Sequence, residues 1–128
     1  MSDLAVSPAA AYRRGEVLAA TPGQLVVLLY DGARRFLRQA ASAMRDREIE
    51  RAHGALRRAE RIIAHLDGTL DYEQGELSQR LHSIYSFCLV HLSAARIDLD
   101  ADKLDEVSEL LGELREAFSQ AAAEVERA

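Results

Sequence analysis

The sequence predicts an all-α protein: an antiparallel up-down four-helix bundle over residues 21–128, preceded by a flexible N-terminal arm over residues 1–20. Three observations carry this prediction. Ala, Leu, Glu and Arg dominate the 128 residues, with no Trp, seven Gly and only 5% aromatics, a mix that favours helix over strand. Apolar residues recur at threes and fours in four successive segments. The polar links between those segments are short, so consecutive helices must fold back as antiparallel neighbours. A chain of this length can bury a core of its own.

Residues 1–20 show no sustained periodicity and read as a loose arm carrying two apolar handles, Tyr12 and Val17. Thr21-Pro22-Gly23-Gln24 then supplies an N-cap, a proline at the first helical position and a glutamine at the third, the pattern of a capping box. The first helix follows to about Arg45, with Leu25, Leu29, Gly32, Phe36, Ala40 and Met44 on one stripe and Leu28 and Leu37 widening it. Asp46 is the expected cap of the second helix. Its stripe, Ile49, Ala52, Leu56, Ala59, Ile63 and Leu66, alternates threes and fours as helices packed at a shallow angle require. Gly68 is placed for a left-handed C-terminal turn.

A polar link from Thr69 to Gly75 leads to the third helix. Its stripe is Leu77, Leu81, Ile84 or Tyr85, Cys88, Leu92 and Ala95, while Phe87, Leu89 and Val90 add apolar surface away from that stripe. So wide an apolar face means a helix that is central or presented to something. Asp98 to Asp102 is a turn rich in N-cap candidates. The fourth helix reads Leu104, Val107, Leu111, Leu114, Phe118, Ala121 and Val125, with Asp105 and Glu106 in the first turn where the helix dipole favours acids.

The single cysteine, Cys88, excludes an internal disulfide and with it the disulfide-stapled secreted class. No apolar run is long enough to span a membrane, and the first ten residues lack the basic start and apolar stretch of a secretory signal. A cytoplasmic protein without membrane insertion is expected. The net charge of −5 divides unevenly, +4 over residues 1–61 and −9 over residues 62–128. Basic and acidic helices can lie against each other, or the basic face can receive a partner. Nucleic acid is not the expected partner, because the acidic half opposes phosphate and no aromatics interleave with the arginines.

Catalytic and metal chemistry find little support. Glu50 and His53 form one Glu-x-x-His, but a di-metal bundle needs two such motifs and two further glutamates. Cys88 with His91 and His82 falls short of four converging zinc ligands. Gly54, Gly68, Gly75 and Gly112 are too far apart for a phosphate loop, and Ser83 and Ser86 do not face His82. No catalytic residue, cofactor or metal is expected. The surplus apolar width and the arm with Tyr12 point instead to a groove for an amphipathic partner helix. A homodimer burying that width, or the arm folding back over its own core, stays open.

In this light the chain resembles the FliS-type flagellin export chaperones. The resemblance begins at Ala11-Tyr12 and Val17 and continues through Thr21-Pro22, Gln24-Leu25 and Leu28-Leu29-Tyr30-Asp31-Gly32. It resumes at Ala59, Ile62-Ile63, Leu66, Leu70-Asp71, Gly75-Glu76, Leu81, Ile84-Tyr85 and Leu92, and ends in Leu104, Val107 and Leu110-Leu111. It implies a non-enzymatic chaperone that binds the disordered C-terminal segment of flagellin, keeps it from polymerising and supports its delivery to the flagellar type III export gate. It also implies partner-binding roles for Tyr12, Val17, Leu25, Leu28, Tyr30, Asp31, Gly32, Leu81 and Tyr85. Three positions depart from the family pattern: Arg96 follows Ala95 where Asn is usual, Phe118 replaces a Trp, and Ala9 replaces a bulky apolar residue before the arm tyrosine.

Overall fold

The computed structural model describes residues 7–127. Among them lie five α-helices and no strand: α1 (Pro8–Ala19), α2 (Pro22–Arg45), α3 (Ile49–Gly68), α4 (Glu76–Asp98) and α5 (Ala101–Arg127), with a 3₁₀ turn at Tyr72–Gln74. Helix α2 packs against α3 and α5, and α4 packs against the same two helices. One core results, built from Tyr30, Leu37 and Met44 of α2, Leu56 and Ile63 of α3, Tyr85, Cys88 and Leu92 of α4, and Leu104, Val107 and Leu111 of α5.

The arm departs from the sequence reading. Residues 8–19 are helical, capped by the Ser7 hydroxyl, which accepts from the Ala10 N–H at 3.1 Å, and opened by Pro8. Periodicity could not reveal this helix, because none of its residues is buried. The cap and the run of alanines were the available signal. At Thr21 the capping box is present as expected: the Thr21 hydroxyl accepts from the Gln24 N–H at 3.2 Å, and the Gln24 side chain accepts from the Thr21 N–H at 3.1 Å.

Two expected helix ends are corrected. Asp46 does not open α3; it closes α2, and Arg47 beyond it takes a left-handed conformation at φ 61°. The Glu48 N–H reaches back to the Ala43 carbonyl and the Arg47 N–H to that of Met44, satisfying carbonyls that the helix end would leave orphaned. Glycine normally fills such a position because it has no Cβ to clash. Arg47→Gly is therefore expected to stabilise the fold by about 1 kcal/mol and raise the melting temperature by a few degrees. A lower melting temperature in a thermal scan would contradict that account. Gly68 is likewise not left-handed; it is the last residue of α3, and Gly75 is the glycine with positive φ, at 70°. There the chain turns from the 3₁₀ segment into α4, a conformation that strains any side chain.

The core faces follow the expected stripes with local shifts. On α2 the buried line runs through Tyr30, Ala33, Leu37, Ala40 and Met44, so that Leu25 stays exposed and Phe36 only half-buried. On α4 it is Tyr85, not Ile84, that fills the core. Leu77 at the start of α4, and Ala121 and Val125 at the end of α5, leave their stripes for solvent. Pairs across α2 and α5 fix their register: Gln24 with Glu126, Asp31 with Arg115, and Arg45 with Asp102 and Asp105.

Candidate partner-binding surface

The residues singled out from sequence divide into two groups. Tyr30, Gly32, Leu81 and Tyr85 are buried between the helices and offer no surface to a partner, which corrects the expectation of direct contact for these four. Tyr30 and Tyr85 are joined hydroxyl to hydroxyl, and the Tyr30 ring stacks on Phe118 at 5.5 Å. Gly32 lets α3 approach: a Cβ there would stand 3.4 Å from Ile62 Cδ1. Asp31 is half-exposed and accepts from Arg115 Nε at 2.9 Å, which ties α2 to α5. These signature residues hold the scaffold that positions the open ones.

The open ones are Tyr12, Val17, Leu25 and Leu28. Tyr12 is 72% exposed on α1, and Leu18 further along the same helix is as open. Leu28 lies half-buried where two hollows meet. One, of about 470 Å³, runs between the end of α1, the first turns of α2 and the last turns of α5, past Val27, Ser119 and Ala123. The other, of about 390 Å³, lies under α1 against Val17, Leu18 and Arg35. Next to them is an apolar cleft of about 390 Å³ formed by Pro22, Gly23, Phe118, Ala121 and Val125. The residues that left the α5 stripe for solvent are thus the walls of a hollow.

Helix α4 carries a second apolar surface. Phe87, Val90, Ala94 and Ile97 are spaced 3-4-3 on the side of the helix opposite its buried line of Leu81, Tyr85, Cys88, Leu92 and Ala95. Val90 is 71% and Ile97 80% exposed, values at which a large apolar side chain gains nothing from its own fold. Phe87 stacks on the His91 ring at 5.2 Å, and His91 Nε2 meets Glu106 of α5 at 2.6 Å, so the patch has a fixed shape. Sequence reasoning found Phe87 and Val90 by their surplus width. It missed Leu18, hidden in a helix without periodicity, and Ile97, which extends the outward stripe beyond Phe87 and Val90.

Chemistry is sparse here. Among the described residues no three His, Cys, Asp or Glu side chains converge as metal ligands would. Burial pushes the Cys88 thiol up to about 11, which leaves it an unreactive core residue at neutral pH. No described helix is long and apolar enough to cross a membrane. Arg96, one of the positions that departs from the family pattern, reaches Glu60 of α3 with two guanidinium nitrogens and so adds an α3–α4 ion pair.

Comparison with known proteins gives a consistent picture. A family model, Flagellar protein FliS, matches residues 5–125. The chain is similar to the flagellar secretion chaperone FliS of Bacillus subtilis, 36% identical over 115 residues that cover 90% of this chain and 86% of the relative. It is also similar to proteins of the same name from Campylobacter jejuni, 32% identical over 86% of this chain and 87% of the relative. The one from Salmonella typhimurium is 33% identical over 81% of this chain and 78% of the relative.

Proposed function

The chain belongs to the FliS family of flagellar proteins, and on that premise we propose that it is a cytosolic export chaperone that binds the C-terminal segment of flagellin. Bound this way, the segment is withheld from polymerisation until the complex is delivered to the flagellar export gate. The family is one of chaperones and not of enzymes, and the absence of any constellation for catalysis in the sequence fits that role. Residues 21–128 act as an antiparallel up-down four-helix bundle, a reading supported by the pairs that join the start of α2 to the end of α5 and its end to the start of α5. Residues 1–20 act as an arm, of which the described helix α1 lies beside the groove.

The observation that carries this reading is the distribution of uncovered apolar surface. It lies in separate places, along α1 and the α2–α5 groove and again on the outer side of α4. A rigid globular partner would want one contiguous patch. A segment disordered on its own can wrap several, folding into short helices as it does so. Each contact offsets part of the ordering entropy, and spread over a large surface they give binding that still permits release.

Tyr12→Ala is expected to leave helicity and melting nearly unchanged, because the side chain is exposed, and to weaken binding of the flagellin segment or docking at the gate. A drop of several degrees in melting temperature without loss of binding would instead make Tyr12 a packing residue.

A further inference from the structure

The basic half of the chain is only partly matched by the acidic half. Arg45 meets Asp102 and Asp105, Arg51 meets Glu48, and Arg115 meets Asp31 and Glu116. Among the described residues Arg13, Arg14, Arg35, Arg38 and Arg58 form no ion pair. They are also neighbours. Arg13, Arg14 and Arg35 share the hollow under α1 with the carboxylates of Glu16 and Asp31. Arg35 and Arg58 approach the Phe36 ring from α2 and α3, at 5.6 and 5.9 Å from its centre. Arg38, Arg51 and Arg58 line a groove of about 420 Å³ between α2 and α3, whose floor is the small Ala43 and Ala55 with polar Gln39 and Ser42 beside them. Asp46 is the one carboxylate on its wall.

We infer that this α2–α3 groove, with Arg38, Arg51 and Arg58 on its walls, forms a second docking surface, apart from the apolar ones, that takes an acidic segment of a partner protein. Guanidinium groups suit this task, because each presents a planar fork that pairs a carboxylate through two hydrogen bonds. Burial, and then repulsion from Arg13 and Arg38, pull the Arg35 guanidinium below its ordinary value, against the opposing pull of Asp31. Carboxylates arriving from a partner relieve that repulsion, and the small residues on the groove floor leave room for a side chain to enter. A nucleic acid fits less well. The chain is acidic overall at −5, and no aromatic lines the α2–α3 groove for a base to stack on.

Fluorescence anisotropy with a labelled peptide rich in Glu and Asp, and separately with a labelled single-stranded oligonucleotide of equal charge, tests the assignment on the full chain. The peptide is expected to bind, more weakly as salt rises, and to lose about tenfold or more in affinity with Arg38→Glu/Arg58→Glu. The same charge reversal should leave binding of the flagellin segment within about twofold, since the two surfaces are separate. If that variant melts early, Arg38→Ala/Arg58→Ala takes its place, with a loss of about threefold or more expected. Peptide affinity unchanged in a folded variant would overturn the inference, as would an oligonucleotide that binds as tightly as the peptide.

Discussion

Leu111→Ala is expected to cost about 2–5 kcal/mol of stability, enough to lower the melting temperature by on the order of 10 °C. Leu111 is fully buried on α5, at the level where all of the longer helices contribute core side chains. Truncation removes buried methyl groups and leaves a cavity that surrounding helices fill only partly. Val125, two heptads further along the same stripe, makes the contrast. It satisfies the same spacing but is 76% exposed, so Val125→Ala should change stability by no more than about 0.5 kcal/mol. Thermal and denaturant unfolding of both variants separates a core position from one that belongs to a binding cleft. Equal losses would mean that the end of α5 is packed in solution.

The paired hydroxyls of Tyr30 and Tyr85 should give the next largest effect, and one that is strongly non-additive. Either single Phe variant leaves the other hydroxyl buried without its partner, at a cost of about 1–3 kcal/mol. The double variant removes both polar groups and is expected to be close to wild-type stability. The pair also sets an alkaline limit. Burial holds both phenols protonated, raising their values above the ordinary 10.0, and Tyr30 is raised further by its hydrogen bond to Tyr85. A folded-state value above the unfolded one means that, as the pH climbs past 10, the native state keeps protons that the unfolded state has already released. Stability is therefore fully present below about pH 9 and falls beyond pH 10, by up to about 1.4 kcal/mol per pH unit for each group. Cys88, held near 11 against an ordinary 9.0, works in the same direction. Melting curves taken above pH 10 should show a shallower decline in Tyr30→Phe/Tyr85→Phe. An identical decline would place the alkaline sensitivity elsewhere.

How much of this was legible in the sequence depends on what each signal reports. Apolar spacing located α2, α3, α4 and α5 and most of the buried residues of α3 and α4, because burial is what spacing records, but on α2 it passed over Tyr30 and Ala33. It could not find α1, a helix held by Ser7 and Pro8 and by alanine propensity, with no buried face to leave a trace. Helix ends were read from residue chemistry, and the chain broke those rules where Arg47 and Leu99 took left-handed positions that glycine usually fills. In both places backbone hydrogen bonds close the helix, on Ala43 for the first and Ala95 for the second, and no sequence rule predicts which non-glycine residue will bear that strain.

The residues singled out from sequence as a partner site divide by exposure. Tyr12, Val17 and Leu25 are exposed and Leu28 is half-buried. Tyr30, Gly32, Leu81 and Tyr85 came from the same resemblance but lie in the core, since a family signature retains packing residues alongside contact residues. Spacing put Cys88 on the buried stripe of α4 and Phe87 off it, and the packing of α3 and α5 on α4 covers the first and leaves the second open. The outward stripe of α4 is thus the clearest case of apolar surface that the fold does not use.

Titration calorimetry with the C-terminal segment of flagellin from the same organism tests the central claim most directly. Chaperoning by wrapping predicts saturable one-to-one binding with a negative heat-capacity change, as coupled folding and apolar burial require. It further predicts that Val90→Asp on the outer face of α4 and Leu28→Asp in the α2–α5 groove each weaken it, with both variants still folded. Absence of heat at micromolar concentrations at two temperatures, with both partners intact, would contradict the assignment of flagellin as cargo.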